Sequence, residues 1–343
     1  MTPGRRLRAY LSHSPDAFAK YYGEEALAAL QEVAEVRRND GDRDLSGREL
    51  AEAARGCELI VSYRLSHGPA ALFENAPDLV AFLRCAVDIR DVDVGSASAE
   101  GVLVTHATPG FVPAVAELVL GQMVDLARGI SAAAERYHRG EVPEARIGRQ
   151  LEGSTLGVIG YGAVGRRLAE MALALSMRVL VSDPHARAED ARIAQVEPPD
   201  LLAAADFVVC LAVANEQTEN LMDAAAFGRM KRGAFFLNPG RGGLVDEAAL
   251  RAALDSGHLA GAALDVGRAP DQMPTPELAA HPRVAATPHV GGLTPEATRH
   301  QAMDTVRQAR ALAAGRLPDH AANAEAAHRL ARIGVTDQSG PRA

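Results

Sequence analysis

The chain has no tryptophan, few aromatic residues and only three cysteines. Cys57, Cys85 and Cys210 lie far apart, are odd in number and form no CxxC. That spacing offers no disulfide framework and predicts reduced, mostly buried thiols in a cytoplasmic protein. No clustered His or Cys spacing points to a metal. No apolar run reaches the roughly 18 residues of a membrane span, and no signal-peptide core follows the start. Lysine stands only at positions 20 and 231, so arginine carries nearly all the positive charge and its abundance implies no specificity. The formal net charge of −8 argues against nucleic acid and anionic membrane as partners. Arg5-Arg6-Leu7-Arg8 is a small basic cluster that reads as a solvated terminus. There is no internal repeat.

What is present is length, apolar content and one glycine-rich motif. At 343 residues and 48% hydrophobic composition, two domains with sizeable cores are expected. Mid-chain, Gly160-Tyr161-Gly162-Ala163-Val164-Gly165 follows the apolar run Leu156-Gly157-Val158-Ile159 and opens a helical pattern from Arg166 to Ala172. A second apolar run, Arg178 to Ser182, ends at Asp183. Strand, tight turn, helix and second strand form the context a GxGxxG needs to cradle a pyrophosphate at a helix N-terminus. Asp183 is placed for the adenosine ribose hydroxyls and would repel a 2′-phosphate, which favours NAD over NADP.

The residues around this fingerprint alternate between helical and strand-like patterns. Upstream, 26–36 is helical in pattern, 58–62, 80–87 and 101–105 are strand candidates, and 112–128 is a long helix with Pro113 near its first turn. Downstream, 205–213, 234–238 and 261–266 are strand candidates and 297–314 is a last long helix. These pieces predict an α/β protein of two Rossmann-like or flavodoxin-like domains. An NAD-binding doubly wound parallel sheet, 108–292, is inserted into a discontinuous substrate domain, 1–107 with 293–325, and 326–343 is expected to be a flexible tail.

The ordered motifs resemble those of the D-isomer-specific 2-hydroxyacid dehydrogenases, the family of phosphoglycerate dehydrogenases and glyoxylate/hydroxypyruvate reductases. Thr108-Pro109-Gly110 with Val115-Ala116-Glu117-Leu118 is similar to the family's interdomain helix start, and the fingerprint with Asp183-Pro184 to its coenzyme signature. Asn238-Pro239-Gly240-Arg241-Gly242-Gly243-Leu244-Val245-Asp246 resembles its N-x-x-R-G-x-x-V-D segment. The segments 261–266 and 287–294 complete the order. The resemblance spans roughly 58–325. It implies NAD as cofactor, a small 2-keto or 2-hydroxy acid as substrate, and a homodimer formed through the coenzyme domain and the helix near Pro113. Hinges near 105–110 and 291–293 would then close the two domains on ligand.

Reduction of a 2-keto acid needs a cation for the carboxylate and a proton donor for the carbonyl oxygen. Arg241, just past a strand at the carboxyl edge, can hold a carboxylate bidentately. His289, in a loop between Pro288 and Gly291-Gly292, suits proton transfer near neutral pH. Asp265 ends a buried-looking strand, and the resemblance places it against the nicotinamide carboxamide. Leu211, Ala212, Thr218, Asn238, Pro239, Gly240, Gly291 and Gly292 join the fingerprint as cofactor-side candidates. Arg64, Cys85 and Ala86 join Arg241 as substrate-side candidates.

Three departures from the family pattern accompany these matches. Ala269, not Glu, precedes Pro270, so the carboxylate that normally buttresses the catalytic His is missing. Asp271 is the candidate to replace it. Without that partner the imidazolium is harder to form, and the pH range for ketone reduction is expected to narrow. Ala86 stands where relatives carry glycine, and Leu211-Ala212-Val213-Ala214 where relatives often show His and Pro. These departures leave two other readings open: a non-catalytic or weakly active NAD-binding regulatory protein, and an oxidoreductase acting on an unusual acid.

Overall fold

The structure, a computed structural model, describes residues 6–335. The chain divides into two compact units: Met1–Gly110 with Pro295–Ala343, and Phe111–Thr294.

Unit 1 is built on five parallel strands: β1 (Leu7–Leu11), β2 (Ala34–Arg38), β3 (Leu59–Ser62), β4 (Ala81–Arg84) and β5 (Leu103–Thr105). Their order is β2-β1-β3-β4-β5, the flavodoxin-like arrangement. Parallel strands need cover on both faces, so β3 and β4 are buried at every residue. One face packs on helices Gly23–Gln31 and Pro295–Ala313 through Leu30, Val306 and Leu312. The other packs Phe73, Phe82, Leu50 and Ala97 under three short helices. Each such fully buried Leu or Phe contributes roughly 1.5–3 kcal/mol.

Three expectations are corrected in this unit. The basic cluster near the start is not merely a solvated end, because Leu7 and Arg8 open β1, a strand paired on both sides. The helical pattern over 26–36 contains a helix that stops at Gln31 and then β2, an edge strand on which Glu35 and Arg37 are exposed while Arg38 lies over the Phe18 ring (3.8 Å). The expected tail from 326 is ordered as far as 335: Ala327, Leu330 and Val335 are buried in the unit 1 core. Arg329 Nη1 donates to the carbonyls of Ala76 and Leu79. Periodicity missed this segment because it is a short 3₁₀ turn, His328–Ile333, held by packing rather than by propensity. The rest of the expected tail lies outside the described residues.

Unit 2 carries seven parallel strands: β6 (Thr155–Ile159), β7 (Arg178–Ser182), β8 (Ile193–Gln195), β9 (Phe207–Cys210), β10 (Phe235–Asn238), β11 (Gly261–Leu264) and β12 (Val284–Ala286). The order β8-β7-β6-β9-β10-β11-β12 is the Rossmann 3-2-1-4-5-6 order with a seventh strand. The helix Val112–Arg128 lays Val115, Ala116, Val119 and Met123 on this sheet's core. Its apolar density therefore serves the unit's own packing. Asp206, at the start of β9, accepts from Thr155 N (2.9 Å), Lys231 Nζ (2.7 Å) and Arg149 Nη1 (2.9 Å). One carboxylate thus joins β6 to two surface cations.

The strand order reverses between β6 and β9, the switch point at whose carboxyl ends open α/β sheets bind their ligands. That edge carries the sequence motifs. All three cysteines are buried and unbridged. No helix among the described residues is long and apolar enough to cross a membrane.

Candidate active site

The fingerprint glycines have three separate jobs. Gly160 has φ +97°, and a Cβ there would stand 2.5 Å from the Leu211 carbonyl. The turn after β6 can therefore press against the loop after β9 only if residue 160 is glycine. A Cβ on Gly165 would lie 2.4 Å from Gly160 O, so this position sets how closely the helix Ala163–Ala174 sits on the strand. A Cβ on Gly162 would meet nothing within 4 Å. Open space at the N-terminus of a helix whose first N–H groups receive no side-chain cap is what a bound pyrophosphate requires.

Asp183, directly after β7, takes three backbone donors: Tyr161 N (2.7 Å), His185 N and Ala186 N (2.8 Å each). Burial alone would push its carboxyl up, but the three N–H groups outweigh it and hold the group below the ordinary carboxylate range. A fixed negative charge therefore stands beside the glycine loop. Leu211 and Ala212 line the opposite loop, with Leu211 N bonded to Ile159 O (2.7 Å). Thr218 closes the turn beyond them, donating to Val213 O (2.6 Å) and accepting from Asn215 N.

Farther along the same edge, three loops lock together. After β10, Asn238 Nδ2 donates to Arg241 O (2.9 Å) and its Oδ1 accepts from Gly240 N (3.1 Å), which shapes the turn that carries Arg241. Pro239 is buried within it. Asp246 caps the following helix, Glu247–Asp255, at Ala248 N and Ala249 N. Arg241 is half-buried, and its Nη1 donates to Gly240 O (2.8 Å). Gly242 rests on the loop after β11: a Cβ there would be 2.0 Å from Gly267 O.

The loop after β12 is organised by Asp265, which is 1% exposed. Its Oδ1 accepts from Thr287 Oγ1 (2.6 Å) and Val290 N (2.8 Å), and its Oδ2 from Gly291 N (2.8 Å). Its carbonyl takes His289 N (3.0 Å). A Cβ on Gly291 would fall 2.8 Å from Oδ2, so glycine is needed for this close approach, and Gly292 rests on Phe111. Asp265, expected from the resemblance to meet a carboxamide, is thus committed to four donors within the His289 loop. His289 sits inside that frame with φ +54°, a left-handed conformation that the surrounding hydrogen bonds maintain. Its Nδ1 lies 2.8 Å from the main-chain oxygen of Asp271. Asp271, expected to partner the imidazole through its carboxylate, meets it through its main-chain carbonyl oxygen. The reason is conformational, since Asp271 and Gln272 both have positive φ (57° and 56°) and turn the peptide oxygen toward the ring.

In unit 1, Arg64 follows β3 with its guanidinium carbon 5.6 Å from the Tyr21 ring centroid. Its loop is held from beneath by Arg84, fully buried, which donates to the carbonyls of Arg64 (3.1 Å) and Ser66 (3.0 Å) and pairs with Asp91 (2.6 Å). Cys85 is buried, its N–H already donates to Ser62 O (2.7 Å), and burial pushes its thiol up to about 12. As a substrate group it is therefore corrected: neither its thiolate nor its N–H is available. Ala86 accepts from Ala107 N (3.0 Å) through its carbonyl.

Sequence reasoning overlooked Gln122, Thr287 and Arg84. Gln122, on the long helix, donates to Thr287 Oγ1 (3.3 Å) and so continues the Asp265 network. A buried glutamine in an apolar helical stripe was the available signal. For Arg84 it was a charged residue inside an otherwise apolar strand, followed seven positions later by Asp91.

Comparison with known proteins decides the family. Residues 120–291 match the family model for the D-isomer specific 2-hydroxyacid dehydrogenase NAD binding domain. The chain is 34% identical over 297 residues to (S)-sulfolactate dehydrogenase of Chromohalobacter salexigens, covering 85% of this chain and 96% of that protein. The chain belongs to the D-isomer-specific 2-hydroxyacid dehydrogenase family. It is an NAD-dependent oxidoreductase of that family. It is also 32% identical to D-3-phosphoglycerate dehydrogenase of Methanocaldococcus jannaschii, covering 88% of this chain but only 57% of that protein. The solved TT0316 protein of Thermus thermophilus superimposes with a TM-score of 0.81 at 29% identity, covering 92% of this chain and all of that one. The dehydrogenase fold thus accounts for both parallel sheets.

Proposed function

We propose that this dehydrogenase reduces a small 2-keto acid to its D-2-hydroxy acid, with Arg241 and His289 as the reacting side chains and NAD preferred over NADP. The observation that carries this is the frame around His289. A carbonyl can only accept, so Nδ1 must bear the hydrogen of the bond to Asp271 O, which leaves Nε2 to face the chemistry. NADH, when bound, supplies the hydride for the keto carbon. The planar fork of Arg241 pairs with the substrate carboxylate and draws charge from the adjacent carbonyl. His289 gives a proton from Nε2 to the carbonyl oxygen, and in the reverse direction takes it back. The fingerprint loop, with Gly162 open to the pyrophosphate and Asp183 beside it, accommodates the dinucleotide. Leu211 and Ala212 extend the wall of that site. Arg64 is assigned to the substrate.

The test is NADH oxidation across a panel of 2-keto acids, including sulfo- and phospho-substituted ones. One acid should turn over, His289→Ala should abolish turnover with NADH binding intact, and Arg241→Lys should raise KM about tenfold or more, since an ammonium cannot reproduce the bidentate pair. Turnover by His289→Ala at the wild-type rate would refute the assignment.

The assembly is proposed to be a homodimer. The helix Ile130–His138 has no buried residue, and Ile130, Tyr137, Val142 and Ile147 are 53%, 61%, 80% and 99% exposed. Large apolar side chains clustered along one exposed segment signal a partner surface. Sedimentation should give twice the chain mass, and Ile147→Asp should weaken the association. Its three buried, unbridged thiols suit a reducing, cytoplasmic setting.

A further inference from the structure

The missing acid next to the catalytic histidine leaves open what orients the ring. We infer that the main chain of Ala269–Met273 replaces it: a peptide oxygen, presented by two consecutive left-handed residues, fixes the tautomer and plane of His289. This inference rests on the assignment of His289 as the proton donor.

Four observations converge on it. The Asp271 carbonyl oxygen stands 2.8 Å from His289 Nδ1. Asp271 and Gln272 have φ of 57° and 56°, a conformation that costs an L-residue energy and persists only where the surroundings enforce it. The surroundings do enforce it. Gly267 N donates to Gln272 O (2.8 Å) and Ala269 N to Met273 O (3.0 Å), closing the loop on itself. A Cβ on Gly267 would lie 2.5 Å from Pro274 Cα, and one on Gly242 would lie 2.0 Å from Gly267 O. The acceptor loop is therefore clamped against the turn that carries Arg241. Finally, His289 is itself left-handed and is bonded by N–H to Asp265 O, so ring and acceptor are placed by independent backbone contacts.

The chemistry differs from that of a carboxylate partner in one respect. A peptide carbonyl holds the ring and selects the Nδ1–H tautomer as an acid would, but sets no full negative charge beside it. Asp271 is accordingly a positioning residue that acts through its backbone. Its substitution should be read by backbone compatibility: residues that tolerate positive φ preserve the arrangement, and β-branched ones do not.

The experiment uses the full-length protein without substrate or cofactor. Long-range ¹H–¹⁵N correlation spectra of the histidine rings are recorded at a pH where the rings are neutral, and the His289 signals are assigned by their loss in His289→Gln. The wild type should show the Nδ1–H tautomer, and Asp271→Asn, which keeps the carbonyl and tolerates positive φ, should show it too. Asp271→Val should lose that tautomer preference and, in the turnover assay, lower kcat about tenfold, the population shift expected from a β-branched left-handed residue. An Nε2–H tautomer in the wild type would overturn the inference. So would a switch of tautomer in Asp271→Asn, which would make the carboxylate the partner, or an unchanged tautomer in folded Asp271→Val. Absence of turnover on every acid would sink the assignment of His289 as donor but leave the tautomer result standing, so the two failures are distinguishable.

Discussion

Replacing Gly162 and Gly165 separately by alanine tests whether the glycine loop is a binding device or only a folding device. A methyl at 162 projects into open space, with nothing within 4 Å, and the backbone there (φ −74°, ψ −162°) is open to alanine. Folding stability should therefore stay within about 0.5 kcal/mol of wild type. If the pyrophosphate occupies that space, the methyl must push it off the helix N-terminus. NADH affinity should then fall about 10- to 100-fold, a loss of ~1.4–2.7 kcal/mol. A methyl at 165 instead meets Gly160 O at 2.4 Å, a backbone atom that cannot swing away. Overpacking of that kind costs about 1–3 kcal/mol. For a unit of this size, that lowers Tm by roughly 3–10 °C. Thermal unfolding and NADH fluorescence titration on the three proteins provide the readout. Wild-type NADH affinity in Gly162→Ala would refute the placement of the pyrophosphate. A Tm loss in Gly162→Ala as large as that in Gly165→Ala would refute the distinction between the two glycines.

Asp183→Asn removes the charge beside the glycine loop, and the preference for NADH over NADPH should shrink about tenfold or more, as measured by the ratio of kcat/KM values; an unchanged ratio would show that this acid does not read the ribose. Asp206 is held below the ordinary carboxylate range: burial opposes ionisation, but Lys231, Thr155 N and Arg149 outweigh it. Its folded-state value is depressed, so its stabilisation is present above the unfolded value near ~3.9 and is lost as pH falls through the folded one. Asp206→Asn should then lose about 1–3 kcal/mol in urea unfolding at pH 7, and the gap from wild type should close below about pH 4. His13 is fully buried, stacked 4.7 Å from Tyr63, and pushed down to about 3 by burial and by Arg84 and Arg38. The unfolded chain binds a proton there below about pH 6.5 and the folded protein does not, so wild-type stability should fall toward acid by up to about 1.4 kcal/mol per pH unit from this group. His13→Phe should flatten the acid limb of the stability profile between about pH 6 and pH 4, and an unchanged slope would refute the burial argument.

Much of this protein is legible in its sequence. Hydrophobic runs bounded by turn residues located most of the strands of both sheets, since fully buried parallel strands read as continuous apolar stretches. The glycine spacing announced the tight turn after β6 and the close seat of its helix because local backbone sterics, not distant contacts, set what those positions can hold. Arg241 and His289 stood out because each lies in a glycine-flanked loop just past a strand. What sequence could not supply comes from contacts between segments far apart in the chain. The strand β2 and the closing 3₁₀ turn have no clear periodicity and are held by the sheet edge and core they join. For Asp265 the sequence shows an acid ending a strand, and only the structure shows that the loop after β12 folds onto it and places three donors on its carboxylate. Asp271 invites reading as a substitute carboxylate, because a side chain is written in the sequence and a peptide oxygen is not. Its left-handed backbone, imposed by the closed loop 267–273 and the clamp at Gly242, aims the carbonyl at His289. Local sterics and hydrophobic pattern are encoded residue by residue, whereas the direction a main-chain dipole points is decided only when the loops around it are packed.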